Sequence, residues 1–174
     1  MSVKSILILV FITGIVERLF SMFFRKKEKD GIVKYGLLTY LLVTTYLFCL
    51  IAILYEFVVL HRNLNVTSTL IGFFIVVIAF YLRKSSIQAL GDFWSIHIKI
   101  IPAQPIITSG PYRWLKNPYY ISVMFELVGW SLFLNSFLAL WVIFALHFPL
   151  IIIRVFFEEK TLITFYGKKY KGGI

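Results

Sequence analysis

Charged residues make up only 15% of this 174-residue chain, against roughly 25% in a soluble domain. So little polar surface excludes a soluble enzyme. Acidic residues are scarcest, eight Asp and Glu against eighteen Lys and Arg. Cysteine occurs once, at Cys49 inside an apolar run. That excludes a disulfide framework and a Cys-based zinc site, and no metal is expected. Five Pro and ten Gly are too few for a disordered or fibrous chain. No G-x-G-x-x-G follows a strand, and strands do not alternate with helices, so a Rossmann cofactor site is also excluded.

What fills the chain instead is apolar: 60% of residues are hydrophobic and the mean hydropathy is +0.87. The formal charge of +10 is clustered between apolar stretches rather than spread over a groove-binding surface. The bilayer is therefore the expected partner, and nucleic acid is not. Five spans can be read: Ser5–Phe24, Tyr35–Leu60, a shorter Val66–Leu82, Tyr119–Leu134 and Phe137–Phe157. The first has about the 20 residues needed to cross some 30 Å of hydrocarbon. Its apolar part is too long for a signal peptide and lacks a small-residue cleavage site, so it reads as a retained helix. The last two, joined only by Asn135–Ser136, form an antiparallel hairpin. Segment 83–118 is too polar to cross, and the tail 158–174 reads as a short helix ending at Gly167.

Lys and Arg number five in loop 25–34, one in 61–65, five in 83–118, none in 135–136 and five from Arg154 onward. Basic loops favour the cytoplasm, which predicts N-terminus out and C-terminus in. Both large polar regions then share the cytoplasmic side. The expectation is a polytopic all-α membrane protein with a non-Rossmann pocket. It is one domain over 1–174, with three spans in 1–82 and a cofactor-binding loop, hairpin and C-terminal segment in 83–174. The membrane is the cell membrane if the source is prokaryotic, the endoplasmic reticulum if eukaryotic.

Ionisable residues at bilayer depth mark candidate sites, since each costs about 2.5–3.5 kcal/mol even on insertion scales. Glu56 lies near the outer end of its span and is expected to reach the interface. Glu17 and Arg18 are adjacent and point to different faces, while Thr13, Glu17 and Ser21 share one suited to a polar contact between helices. Glu126 lies mid-span, on a stripe with Ser122 and Tyr119. His147, Arg154 and Glu158 recur at spacings of seven and four and project from one helix face. Pro149 between them removes a backbone hydrogen bond and predicts a kink. Arg154 and Glu158 suit an ion pair; Glu159 adds a second carboxylate that a cationic ligand would satisfy.

Thr108-Ser109-Gly110-Pro111-Tyr112-Arg113-Trp114-Leu115-Lys116-Asn117-Pro118-Tyr119-Tyr120 resembles the T-S-G-x-Y-x-W-x-R-H-P-x-Y segment of the isoprenylcysteine carboxyl methyltransferase family. Asn135 falls where that family has an Asn between two helices. Arg154-Val155-Phe156-Phe157-Glu158-Glu159-Lys160-Thr161-Leu162 and Phe165-Tyr166-Gly167-Lys168-Lys169-Tyr170 resemble its R-x-x-x-E-E-x-x-L…F-F/Y-G-x-x-Y ending. The likeness covers about residues 85–171. Two departures are visible: Lys116-Asn117-Pro118 replaces R-H-P, which removes a histidine base, and Gly173 stands where the family often has Tyr.

The resemblance implies methyl transfer from S-adenosylmethionine, leaving S-adenosylhomocysteine, to a carboxylate or hydroxyl oxygen of a lipophilic small molecule or prenylated acceptor. A phospholipid amine is the alternative acceptor, and a non-enzymatic membrane protein with a degenerate site the alternative class. By position, Gly110, Tyr112, Asn117, Pro118 and Tyr119 would line the cofactor, and Glu158 or Glu159, with Glu159 preferred, would take its ammonium. Arg154 would take a carboxylate of cofactor or substrate. Arg154 and Glu158 are the implied catalytic pair, with His147 and Arg154 on the substrate. Bacterial relatives that methylate lipid phenol or enol hydroxyls look similar in having a Glu nine residues after the His-Pro position, where this chain has Glu126. That makes Glu126 a candidate base; a carboxylate acceptor would need none.

Overall fold

The computed structural model describes residues 2–23, 29–60, 63–101 and 105–167. The basic run Arg25–Lys27 and the tail beyond Gly167, including Lys168, Lys169, Tyr170 and Gly173, lie outside them. Among the described residues the chain is mostly helical, as expected. It forms α1 (Val3–Phe23), α2 (Gly36–Val59), α3 (Val66–Leu90), α4 (Pro118–Phe133) and α5 (Phe137–Tyr166). Three of these, Gly36–Val59, α3 continued to Phe93, and Phe137–Tyr166, are long and apolar enough to cross a membrane. Large apolar side chains such as Leu37, Ile51, Phe74, Tyr81 and Trp141 face outward, as lipid contact requires.

Three helices depart from their expected extents or surroundings. The third runs eight residues past Leu82 to Leu90 before Gly91 turns it at φ +54°. Its polar end stays helical because Arg83 is buried against carboxylates of two other helices and the Ser86 hydroxyl donates to the Leu82 carbonyl. The fifth continues past Phe157 to Tyr166, ending at Gly167 as expected. The irregularity expected at Pro149 takes the form of a π-helical turn, Ile143–His147. Proline lacks the N–H that would close the preceding turn, and a wider turn absorbs the mismatch.

Glu56 does not reach the interface. It is 3% exposed, and its carboxylate accepts the Leu138 and Ala139 N–H groups at 3.1 and 2.8 Å. It thus caps α5, whose first amides have no intrahelical partner. The tight turn before α5 is held by Asn135, at φ +56°. Its amide accepts the Asn65 N–H at 3.0 Å and donates to Thr69 Oγ1 at 2.8 Å.

Helices α3 and α4 pack at backbone contact. A Cβ on Gly72 would lie 2.2 Å from the Phe133 nitrogen, and one on Gly129 would lie 2.8 Å from Val76 Cγ2. Small residues permit such approach between apolar helices. Beside this pair, Leu7, Phe11, Leu50, Ile53, Leu127 and Trp130 form the apolar centre. The sequence did not predict the antiparallel ribbon of β1 (Ile32–Lys34) and β2 (Ile98–Ile100), which pairs Val33 with Lys99. It joins the segment before α2 to the polar segment after α3. Tyr166 pins the far side, its hydroxyl accepting from Ile101 N–H and donating to Ile101 C=O.

Candidate functional site

A cavity of about 700 Å³ opens among α1, α2, α4, α5 and the segment between α3 and α4, within the ordinary range for small-molecule sites. Along α2 its wall runs from Thr39 to Leu50, about 16 Å at 1.5 Å per residue. That length is roughly half the thickness of a 30 Å hydrocarbon layer. One end is polar, lined by Ser95, Lys99, Lys116, Asn117, Arg154 and Glu158; along α2 the wall continues through Leu42, Val43, Leu47 and Leu50, with Arg18, Tyr46 and His147 set among them.

The two motif blocks, far apart in sequence, meet at the polar end. Arg154 donates through Nε to Tyr120 Oη (2.9 Å), through Nη1 to Thr39 Oγ1 (2.6 Å) and through Nη2 to the Ile96 carbonyl (2.6 Å). Tyr120 in turn donates to Glu158 Oε2. The expected Arg154–Glu158 contact is thus relayed through a tyrosine from α4. Arg154 ties α2, α4, α5 and the intervening segment together. Glu158 is the one carboxylate on the cavity wall among the described residues. Its neighbour Glu159 turns aside, accepting from Asn117 Nδ2 at 3.3 Å and lying 3.3 Å from Lys116 Nζ.

Of the residues that the motif would place on the cofactor, Tyr112, Asn117 and Tyr119 line the cavity; Gly110, Pro118 and Glu159 do not. Gly110, at φ +59°, brings its backbone against Ala89, and Pro118 is buried as the first residue of α4. Tyr119 meets Trp94 edge-on at 5.8 Å between ring centroids, and both are on the wall.

Beneath the polar end lies a buried charge cluster. Glu126 Oε2 accepts from Arg18 and from Arg83 Nη1, the latter at 2.9 Å, and Oε1 accepts the Tyr46 hydroxyl at 2.9 Å. Arg83 also pairs with Glu17, so the adjacent Glu17 and Arg18 do serve different helices, as their facing required. Glu126 is 1% exposed and is not on the cavity wall, whereas Arg18 and Tyr46 are. His147, from the π turn, also lines the cavity. Its Nδ1 lies 3.0 Å from Thr45 Oγ1, and its Nε2 has no hydrogen-bond partner among the described residues.

Sequence reasoning did not single out Thr39, Thr45, Tyr46, Trp94 or Tyr120. Tyr120 stood inside the quoted motif, but its role became visible only when Arg154 and Glu158 met it. Thr45 and Tyr46 are neutral residues in a span and raise no alarm by charge.

The family model for phospholipid methyltransferase matches residues 67–169, more than half of the chain, including the first motif block and the second as far as Lys169. The chain belongs to the phospholipid methyltransferase family. This is the group of isoprenylcysteine-methyltransferase-like membrane enzymes to which the motifs pointed, and its usual methyl donor is S-adenosylmethionine. The chain is also similar to the uncharacterized protein YpbQ of Bacillus subtilis, 24% identical over 140 residues, covering 79% of this chain and 82% of that protein. An uncharacterized Haemophilus influenzae protein is 27% identical over 109 residues, covering 62% of this chain and 63% of its own length. As a phospholipid methyltransferase family member with membrane-length helices, the protein is a membrane methyltransferase.

Proposed function

We propose that the protein transfers a methyl group from S-adenosylmethionine to an oxygen of a lipophilic acceptor drawn from the bilayer. The observation that carries this reading is the cavity's division of labour. Polar groups from both motif blocks converge at one end, and a wall rich in leucine continues along the membrane-length helix α2. The donor set suits the cofactor. Glu158, on the cavity wall, would take its ammonium, the wall's lysines and arginines its carboxylate, and the faces of Trp94, Tyr112 and Tyr119 its nucleoside. When bound, the cofactor supplies a sulfonium methyl already activated for transfer. The chain's task is then to align the acceptor and exclude water, the contribution positioning makes to rate. Arg154 serves by holding Tyr120 and Glu158, and Leu42, Val43, Leu47 and Leu50 offer a dry wall to an acyl or prenyl chain.

The basic segments around the cavity's polar end support a cytoplasmic mouth, with the N-terminus outside. A phospholipid amine acceptor is supported equally by the family match, and the leucine-rich wall would hold its acyl chains as well. Isothermal titration of the detergent-solubilised protein with S-adenosylhomocysteine tests the cofactor assignment; no heat at millimolar ligand would end it. Transfer of labelled methyl into a host lipid extract identifies the product: base releases the label from a methyl ester only, and mass spectrometry of the labelled lipid separates an O-methyl ether from an N-methyl amine.

A further inference from the structure

A second, smaller cavity of about 150 Å³ lies between the last turns of α5 and the residues that lead from β1 into α2. Its wall consists of Lys34, Tyr35, Lys160, Thr161, Thr164 and Phe165. The main cavity takes Glu158 and Leu162 from the same stretch of α5, so the groove uses a different face of that helix. Its wall holds two cations and no acid. Lys34 and Lys160 are exposed, and among the described residues neither pairs with a carboxylate. The carboxylates next to Lys160 are engaged elsewhere: Glu158 accepts from Tyr120, and Glu159 faces Asn117 and Lys116. An anion between the two lysines would offset their mutual repulsion.

Helix length puts this groove at the membrane surface. Phe137–Tyr166 has 30 residues, about 45 Å at 1.5 Å per residue and some 15 Å more than the hydrocarbon layer. With Phe137 at the far boundary, the excess of about ten residues, 157–166, lies in the headgroup layer. Tyr35 packs against Phe157 with ring centroids 4.7 Å apart, which sets the start of α2 at the same level. The rings of Tyr35 and Phe165 are 45% and 54% exposed, and aromatic side chains favour that level of a bilayer. The Thr161 and Thr164 hydroxyls donate to the Phe157 and Lys160 carbonyls at 2.7 and 2.8 Å. Binding an anion therefore falls chiefly to the two ammonium groups.

We propose that this groove binds the phosphate of an anionic phospholipid from the adjoining leaflet, with Lys34 and Lys160 on its oxygens and the rings of Tyr35 and Phe165 beside its glycerol and upper acyl carbons. A zwitterionic lipid fits less well, because its own cation would lie against two lysines. The two lysines come from the ribbon and from α5, which also supply main-cavity wall residues, Ile98 and Lys99 from β2 and Glu158 and Leu162 from α5. A lipid bridging the lysines braces the polar end of that cavity from outside. The bound lipid is a structural ligand, and its binding does not depend on methyl transfer.

Native mass spectrometry of the detergent-solubilised protein, titrated with phosphatidylglycerol or with phosphatidylcholine of the same acyl chains, tests the site. The wild type is expected to hold one phosphatidylglycerol more tightly, by about fivefold for each lysine at the membrane surface. Lys34→Gln/Lys160→Gln should lose that preference, and Lys34→Arg/Lys160→Arg, which keeps both charges, should retain it. Lys29→Gln/Lys84→Gln removes equal charge from exposed positions outside the groove and should leave the preference unchanged. Equal affinity of the wild type for the two lipids overturns the proposal. So does a preference that survives Lys34→Gln/Lys160→Gln or falls as far in Lys29→Gln/Lys84→Gln. Displacement of phosphatidylglycerol by millimolar inorganic phosphate would overturn the lipid assignment in favour of a free anion. Bound phosphatidylglycerol should also raise the melting temperature of the wild type more than that of Lys34→Gln/Lys160→Gln; equal shifts would refute the bracing.

Discussion

Arg83 Nη1 donates to Glu126 Oε2 at 2.9 Å, joining the polar end of α3 to the middle of α4. Arg18 from α1 shares the same oxygen, so one carboxylate neutralises two buried guanidinium groups while Glu17 supports the second.

The first prediction follows from that sharing. Glu126→Gln leaves Arg18 buried without a counter-charge, and breaking a buried pair from one side costs about 3–5 kcal/mol. The expected result is a lower melting temperature in detergent, with S-adenosylhomocysteine affinity retained by the folded fraction. A variant that melts like the wild type but loses turnover would instead make Glu126 the base.

A second concerns the two adjacent carboxylates. Glu158→Gln should weaken S-adenosylhomocysteine binding by about 1–3 kcal/mol, the range for hydrogen bonds to charged groups. Glu159→Gln should have the smaller effect, because Glu159 faces Lys116 and Asn117 rather than the cavity. Titration calorimetry on both variants checks the order, and the reverse order would move the ammonium site to Glu159.

Glu56 supplies a third. Replacing it with Ala removes the acceptor for two amides at the start of α5, and loss of such a cap costs about 0.5–2 kcal/mol. Thermal unfolding should show the loss, while methyl-donor affinity stays unchanged because the cap lies outside the cavity wall.

The α3–α4 contact provides the fourth. Gly72→Ala places a methyl 2.2 Å from the Phe133 nitrogen, and overpacking of this kind costs about 1–3 kcal/mol. Gly36→Ala, with nothing within 4 Å of the new Cβ, is the control; equal melting temperatures for the two variants would refute the close packing.

Much of this architecture was legible along the chain. Apolar length located the helices, Gly167 marked the end of the last one, and the spacing of Arg154 and Glu158 placed both on one face. The extension of α3 through Arg83 and Ser86 was not legible, because those residues read as a polar loop until partners from α1 and α4 are present. Nor was the β1–β2 ribbon, whose two three-residue strands are too short to show an alternating pattern.

The residues alone determined that this is a helical membrane protein, since hydropathy is a local property of the chain, and two motif blocks carried the resemblance to a methyltransferase family. Only the tertiary structure decided which charges neutralise one another, which of Glu158 and Glu159 faces the cavity, and that His147 lines it beside Thr45. Helical periodicity says which residues share a face. What that face meets depends on the depth and rotation of helices distant in sequence, as when Arg18 reaches Glu126 across 108 positions.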